Sequence, residues 1–270
     1  MCGIIGILGA EPAAPRLVEA LKRLEYRGYD SAGVAVLEAG KLTRRRAAGK
    51  IRNLEAELAG APLSGASGIG HTRWATHGAP TTANAHPHAT DRVAIVHNGI
   101  IENFRTLREE LAKAGRAFES ETDSEVIAHL ISEGLDRSLA PEQAVRAAVK
   151  RLEGAFAIAC LFTGEDDTLI GARKGSPLVV GLGEGEVFLG SDAIAVSPFT
   201  NRVIYLEEGD LAVLSRASVA IYDAGDAKAE RAIAVLSGGA AAVERATIAT
   251  SCRRKFTSSP KPRAAPSRAT

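Results

Sequence analysis

The hydrophobic pattern divides the chain into a helix-rich middle and strand-rich ends. Apolar residues recur at helical spacing with charges between them over 12–27, which predicts an amphipathic helix. Further helices are predicted over 51–59, 103–114, 122–130 and 141–152. Short apolar runs bounded by turn residues predict strands over 4–8, 32–37, 41–47, 93–96, 155–162, 168–172, 178–181, 187–189, 203–206, 211–214 and 219–222. Since helices and strands do not alternate regularly, antiparallel sheets with helices packed outside, an α+β fold, are favoured.

The composition is that of a soluble globular protein with one large or two small domains. The chain has 270 residues, of which 46% are hydrophobic and 24% charged. A net charge of +1 argues against nucleic acid as a partner. We expect no membrane span or signal peptide, because the apolar runs are too short. Three widely separated cysteines fit the reducing cytoplasm, and the histidine spacing predicts no metal site.

A cysteine directly follows the initiator methionine. Removal of Met1 is expected because Cys2 is small, and it leaves a thiol and a free α-amine on one residue. An α-amine titrates near pH 8, so it can accept a proton at neutral pH. Cys2 would then combine nucleophile and base, the logic of enzymes with an N-terminal threonine. The alternative is a buried, inert cysteine in a first strand.

The stretch 70–78 is dense in polar and functional side chains and contains the only tryptophan, Trp74. Arg73 lies at its centre, and an arginine can bind a carboxylate through two parallel hydrogen bonds. A long polar segment follows, through 84–88. Such a segment either folds over a ligand or is an ordinary surface loop.

Two further stretches complete a candidate site. Asn98 and Gly99 follow a predicted buried strand, and an amide beside a glycine N–H can stabilise an oxyanion. The alternative is an Asn-Gly turn, and we expect the chain to turn there. Asp123 either caps a helix or binds a ligand ammonium. Together with Arg73 it would bind a free amino acid, whose side-chain carbonyl Cys2 would attack.

Six stretches, in order, resemble the glutaminase domain of the class II glutamine amidotransferases. They are CGIIG (2–6), RLEYRGYDSAG (23–33), GHTRWATHG (70–78), NAHPH (84–88), HNGIIENF (97–104) and ETDSEVIAHL (121–130). The resemblance covers 2–236. The stretches 23–33 and 70–78 favour the branch whose full-length members carry a C-terminal sugar-phosphate isomerase domain. The resemblance implies an N-terminal nucleophile hydrolase fold, which is a four-layer αββα sandwich of antiparallel sheets.

The resemblance also implies a role for each matching residue, and no expected catalytic position is substituted. Cys2 would be the nucleophile, with Asn98 and the Gly99 N–H as the oxyanion hole. Arg73 and Asp123 would hold the α-carboxylate and α-amine of glutamine. Thr76 and His77 would line the pocket, and the backbone around Trp74 and His86 would close it. Trp74 would also gate the passage of ammonia. Arg27 would help to organise the closed site.

The implied reaction is cleavage of L-glutamine through a γ-glutamyl thioester at Cys2, which gives glutamate and ammonia without a cofactor. In full-length family members, which are homodimers, the ammonia converts fructose 6-phosphate to glucosamine 6-phosphate for hexosamine and UDP-N-acetylglucosamine biosynthesis. A rival enzyme would hydrolyse another amide, which the Arg73–Asp123 pair disfavours. A rival of another class is a glutamine-binding regulatory module without turnover.

The C-terminal tail, 237–270, differs in composition from the rest of the chain. The resemblance stops after Val243, and the remainder is rich in Ser, Pro, Ala and Arg, which predicts disorder. Codons compatible with this tail, with one A restored after the Glu244 codon, can read EKGNYRHFMPKEIHEQP in the shifted frame. That string resembles the linker to the isomerase domain. We therefore hypothesise a frameshifted, truncated product that lacks the isomerase domain, a hypothesis that resequencing the gene would test.

Overall fold

Two stacked β-sheets form the centre of the computed structural model, which describes residues 2–75 and 77–237. The helices are α1 (Ala13–Leu24), α2 (Ile51–Gly60), α3 (Phe104–Lys113), α4 (Glu125–Asp136), α5 (Pro141–Val149) and α6 (Ala193–Val196), with a 3-10 turn at Glu25–Arg27. The strands are β1 (Gly3–Leu8), β2 (Ser31–Glu38), β3 (Lys41–Ala48), β4 (Ser67–Arg73), β5 (His88–Ala89), β6 (Val93–Ile101), β7 (Gly154–Phe162), β8 (Leu169–Lys174), β9 (Val179–Leu182), β10 (Val187–Gly190), β11 (Arg202–Tyr205), β12 (Leu211–Leu214), β13 (Val219–Tyr222), β14 (Lys228–Ala229) and β15 (Ile233–Val235).

Both sheets are antiparallel. The eight-stranded sheet has the order β15-β11-β9-β10-β1-β4-β2-β3 and contains the N-terminal strand near its middle. The seven-stranded sheet has the order β14-β13-β12-β8-β7-β6-β5. β1 therefore lies between β10 and β4, and its first residue, Gly3, is paired with Thr72 of β4. This register places the residues that follow β4 beside Cys2.

Successive side chains of a strand point to opposite faces of its sheet, and this alternation builds three apolar layers. In β1, Ile4 packs between the two sheets, while Ile5 packs beneath α1. In β6, Val96 packs between the sheets, while Ile95 packs beneath α4 and α5. Helices therefore cover both outer faces, and the predicted four-layer αββα arrangement is confirmed.

The pattern missed β4, because its glycines conceal a strand that is buried on both faces. A Cβ at Gly68 would lie 2.7 Å from the Leu17 side chain of α1, and one at Gly70 would lie 3.1 Å from that of Leu21. Helix α1 therefore packs directly against the backbone of β4. Glycine is required by this close approach, although it is typical of loops in a sequence.

The expected turn at Asn98-Gly99 is wrong, because β6 continues through both residues to Ile101. Asn98 is paired with Ala157 of β7, and Gly99 with Phe156. Hydrogen bonding to a long neighbouring strand has overridden the local turn preference of the pair.

The short elements β5, α6, β14 and β15 were not predicted either, since two to four residues are too few to show periodicity.

The described residues up to Leu236 form one compact unit. Within 2–75 and 77–237, no helix is both long enough and apolar enough to cross a membrane. The tail from 238 onward lies outside the described residues, so its predicted disorder and frameshifted origin stay predictions.

Candidate active site

A cavity of about 280 Å³ opens where Cys2, the end of β4 and the middle of β6 meet. This volume suits a small ligand, since drug-sized molecules occupy cavities of roughly 300–1,000 Å³. Thr76 lies outside the described residues. Every other predicted site residue lines the cavity, namely Cys2, Arg27, Arg73, Trp74, His77, His86, Asn98, Gly99 and Asp123.

The Cys2 thiol lies in the cavity wall, beside the chain that leaves β4. The backbone N–H of Trp74 donates to the Cys2 Sγ over 3.2 Å. Burial raises the pKa of the Cys2 thiol, and the Trp74 N–H opposes this increase. The thiol is therefore protonated at neutral pH, and the nucleophile needs a base to become a thiolate.

Asn98 and Gly99 reach the nucleophile from the opposite sheet. The Asn98 Nδ2 donates to the main-chain carbonyl of Cys2 over 2.9 Å, which places an amide donor next to the thiol. Gly99 has a φ of +130°, a conformation that residues with a Cβ rarely adopt. The two residues predicted as an oxyanion hole therefore lie together beside Cys2.

Arg73 is nearly buried, and its guanidinium organises the loop that follows β4. It donates to the carbonyls of His77, Gly78 (3.0 Å) and Ala79 (3.3 Å). An arginine has five N–H donors, so these three bonds leave donors for a ligand carboxylate. Arg73 thus shapes the cavity wall in addition to placing a positive charge in it.

Asp123 is also nearly buried, at the start of α4. Its Oδ2 accepts a hydrogen bond from the Ile101 N–H over 2.8 Å, and its Oδ1 accepts one from the Ser124 hydroxyl over 3.4 Å. The carboxylate is therefore held in one orientation from two sides. The cavity contains a buried cation and a buried anion, as binding of an amino acid would require.

Aromatic side chains surround the mouth of the cavity. Trp74 is 48% exposed, and its ring meets that of Tyr29 edge to face with 5.4 Å between centroids. The ring of His77 contacts Phe104 in the same way. Arg27 forms an ion pair with Asp192, whose side chain is 9% exposed, and this pair holds Arg27 against the cavity.

Two arginines of β3 hold the loop that carries His86. Arg46 donates to the carbonyls of Ala83 and Ala85, both over 3.1 Å, and Arg44 donates to that of Pro87 over 3.4 Å. His86 is buried, and neither ring nitrogen has a hydrogen-bond partner. Its position therefore depends on the loop backbone and on ring packing.

Sequence reasoning missed several residues that contact or support the site. The additional lining residues are His97, Ile100, Thr122, Ser124, Ser176 and Pro177. Ser176 and Pro177 join β8 to β9 and carry no local signal of function. His71 lies in a recognised motif, but only the assignment of β4 as a strand shows that its side chain reaches Asn98. No group of three or more His, Cys, Asp or Glu side chains in the described ranges could hold a metal ion.

The fold is that of the N-terminal nucleophile hydrolases, and the cavity resembles the site expected of a glutamine amidotransferase domain. Residues 71–197 match the family model of a glutamine amidotransferase domain. Among solved structures, the chain is similar to glutamine phosphoribosylpyrophosphate amidotransferase from B. subtilis, complexed with ADP and GMP. That similarity has a TM-score of 0.71 and 26% identity, and it covers 82% of this chain and 49% of that one.

Curated relatives narrow the assignment within this class. The chain is 62% identical over 245 residues to glutamine–fructose-6-phosphate aminotransferase (isomerizing) of Caulobacter vibrioides, covering 91% of this chain and 40% of the relative. It is 61% identical over 233 residues to the enzyme of that name from Brucella suis. This match covers 86% of this chain and 38% of the relative. The predicted resemblance is confirmed, and this chain is a relative of the glutamine–fructose-6-phosphate aminotransferases. It spans about 40% of the length of these relatives.

Proposed function

We propose that this chain hydrolyses the side-chain amide of L-glutamine to glutamate and ammonia, with Cys2 as the nucleophile. The observation that carries the proposal is the bond of 2.9 Å from the Asn98 Nδ2 to the Cys2 carbonyl. It joins a nucleophile on one sheet to an oxyanion donor on the other. Both lie in a cavity that also contains Arg73 and Asp123.

Removal of Met1 gives Cys2 a free α-amine, which accepts the thiol proton as the Sγ attacks the amide carbon. The developing oxyanion is stabilised by the Asn98 Nδ2 and the Gly99 N–H. The C–N bond then breaks, and the leaving nitrogen takes the proton from the amine to depart as ammonia. Water attacks the resulting γ-glutamyl thioester, which releases glutamate and restores the thiol.

Selectivity for glutamine comes from the charges at the far end of the cavity. Arg73 binds the α-carboxylate and Asp123 the α-ammonium, so amides that lack an amino-acid end leave two buried charges unpaired. His77 and His86 complete the wall around the substrate, while the expected contribution of Thr76 stays a prediction. Trp74 lies at the mouth, where it controls the release of ammonia, and Arg27 supports this side of the cavity.

In a full-length member of the family, we propose that a homodimer in the cytoplasm uses this ammonia to convert fructose 6-phosphate to glucosamine 6-phosphate for hexosamine synthesis. This role is supported by the relatives, which are named as glutamine–fructose-6-phosphate aminotransferases. A glutamine-binding module without turnover is disfavoured, because binding alone requires neither the thiol nor the amide donor beside it.

The test is glutamate release from glutamine by purified protein whose first residue, by mass spectrometry, is Cys2. Cys2→Ala should abolish glutamate release, because no other cysteine of the described residues lines the cavity. The matched control is Cys160→Ala, since Cys160 is fully buried within β7 and burial raises its pKa. This control should keep the wild-type rate.

Near-normal release by Cys2→Ala would refute the nucleophile assignment. Full activity in protein that keeps Met1 would refute the α-amine as the base. If the Met1-free wild type binds glutamine in calorimetry but releases no glutamate, the binding module is the correct function.

A further inference from the structure

His71 bridges the two sheets directly behind the nucleophile. It lies on β4 opposite Ile4 of β1, two residues from Cys2, and its side chain crosses to β6 of the other sheet. Its Nε2 lies 2.9 Å from the His97 carbonyl oxygen and 3.0 Å from the Asn98 Oδ1. We infer that His71 is a positioning residue that holds the Asn98 amide in the orientation required by the proposed glutamine hydrolysis, an inference that rests on the proposed function.

The hydrogen-bond partners determine where the protons lie. The His97 carbonyl can only accept, so the His71 Nε2 must carry a proton. The Asn98 atom beside that N–H must then be the oxygen. At the other end of the amide, the Cys2 carbonyl can likewise only accept, so the nitrogen faces Cys2. Both contacts give the same orientation, with the Nδ2 toward the nucleophile.

Fixing this orientation matters because the nucleophile and the oxyanion donor belong to different sheets. Cys2 precedes β1 in the eight-stranded sheet, and Asn98 lies on β6 in the seven-stranded sheet. An amide flip would point the Oδ1, an acceptor, at the developing negative charge. Without the His71 donor, only the bond to the Cys2 carbonyl opposes that flip.

The surroundings of His71 keep its proton in place. The ring is completely buried and stacks on that of His86, with 4.1 Å between centroids. Burial lowers the pKa of His71 to about 3, so the ring is neutral at working pH and carries a single proton. The His71 Nδ1 has no hydrogen-bond partner, whereas the Nε2 has two acceptors. The Nε2–H tautomer is therefore favoured.

The activity test compares His71→Leu, which removes the donor, with His71→Gln, whose amide can place an N–H near the position of the imidazole Nε2. Loss of an oxyanion-hole donor costs about 100- to 1,000-fold in kcat. Partial misorientation should cost less, so we expect His71→Leu to lower kcat for glutamate release about 10- to 100-fold with KM nearly unchanged. His71→Gln should recover much of this loss.

The matched control is His129→Leu. His129 is a buried histidine on α4 that does not line the cavity, so this variant should keep the wild-type kcat.

The second readout is independent of turnover. Nitrogen-15 NMR of the ring nitrogens at pH 7.5 should show His71 protonated at Nε2 only. A proton on Nδ1, or a doubly protonated ring, would overturn the inference. So would a folded His71→Leu variant that keeps kcat within about twofold, or one whose loss is confined to KM. If wild-type protein does not release glutamate but shows the Nε2–H tautomer, the proposed function fails while the positioning geometry is supported.

Discussion

At the scale of single residues, Gly99 meets two independent constraints. Its φ of +130° lies in the region that favours glycine. A Cβ built there would lie 2.0 Å from the carbonyl oxygen of Ala155 on the neighbouring strand. A side chain would therefore strain the backbone and push β6 away from β7, next to the residues proposed as the oxyanion hole.

We predict that Gly99→Ala lowers the free energy of unfolding by about 2–4 kcal/mol, since strain and a backbone clash add together. The matched control is Gly115→Ala, where φ is +87° but nothing lies within 4 Å of the new Cβ. The control should cost about 1–2 kcal/mol, from the backbone conformation alone. Urea unfolding of both variants provides the measurement, and equal losses would contradict the clash.

At the scale of elements, β4, β5, β6 and the loop before β5 together build a buried layer of histidines. His71 packs against His86, and His86 packs against both His88 and His97. Burial lowers the pKa of all four, to about 3 for His71 and for His88. Neutral rings avoid the cost of a buried charge behind the proposed oxyanion hole, so the proposed site depends on these rings staying neutral.

This layer predicts that the protein loses stability as the pH falls below about 6.5. Unfolded histidines bind protons near pH 6.5, whereas folded His71 and His88 stay neutral down to about pH 3, so protons favour the unfolded state in that window. His71 and His88 should each cost about 1.4 kcal/mol between pH 7.5 and 5.5. Urea unfolding at these pH values should show a loss about 1.4 kcal/mol smaller for His71→Gln than for the wild type. Equal losses in both proteins would show that His71 is not buried as a neutral ring.

At the scale of the whole molecule, the last strand completes the eight-stranded sheet. Val203 of β11 is paired with Ala234 of β15, and the Leu236 N–H donates to the Asn201 carbonyl over 2.8 Å. Leu236 also packs against the apolar layer beneath α1. The contacts of the compact unit thus continue to Leu236, and the assignment of 2–236 as the glutaminase domain stays a prediction.

We predict that a chain ending at Ser237 keeps the melting temperature and the glutamate release of the full chain. A chain ending at Ala232 lacks β15 and exposes the edge of β11. We expect it to melt about 4–8 °C lower, which corresponds to a loss of about 2 kcal/mol in a domain of this size. Calorimetry of both truncations provides the measurement. A large loss on ending at Ser237 would place the domain boundary further along the chain.

The sequence by itself determined the chemistry and the class of fold. Cys2, Arg73, Asn98 and Asp123 are recognisable because each offers a functional group that the proposed glutamine cleavage requires, within motifs that resemble one family. The alternation in β1 and the helical periodicity of α1 are local properties, set by which face of each element is buried. Local patterns of this kind are readable without knowing which other element covers that face.

Only the tertiary structure decided how these groups meet. The continuation of β6 through Asn98 and Gly99 depends on pairing with β7, which lies far away in sequence and outweighs a local turn preference. The strand β4 is hidden by glycines that are required by the approach of α1. The contact of His71 with Asn98 depends on the register of one sheet over the other. Periodicity identifies the buried face of a strand, but it contains no information on which residue of another sheet that face will meet.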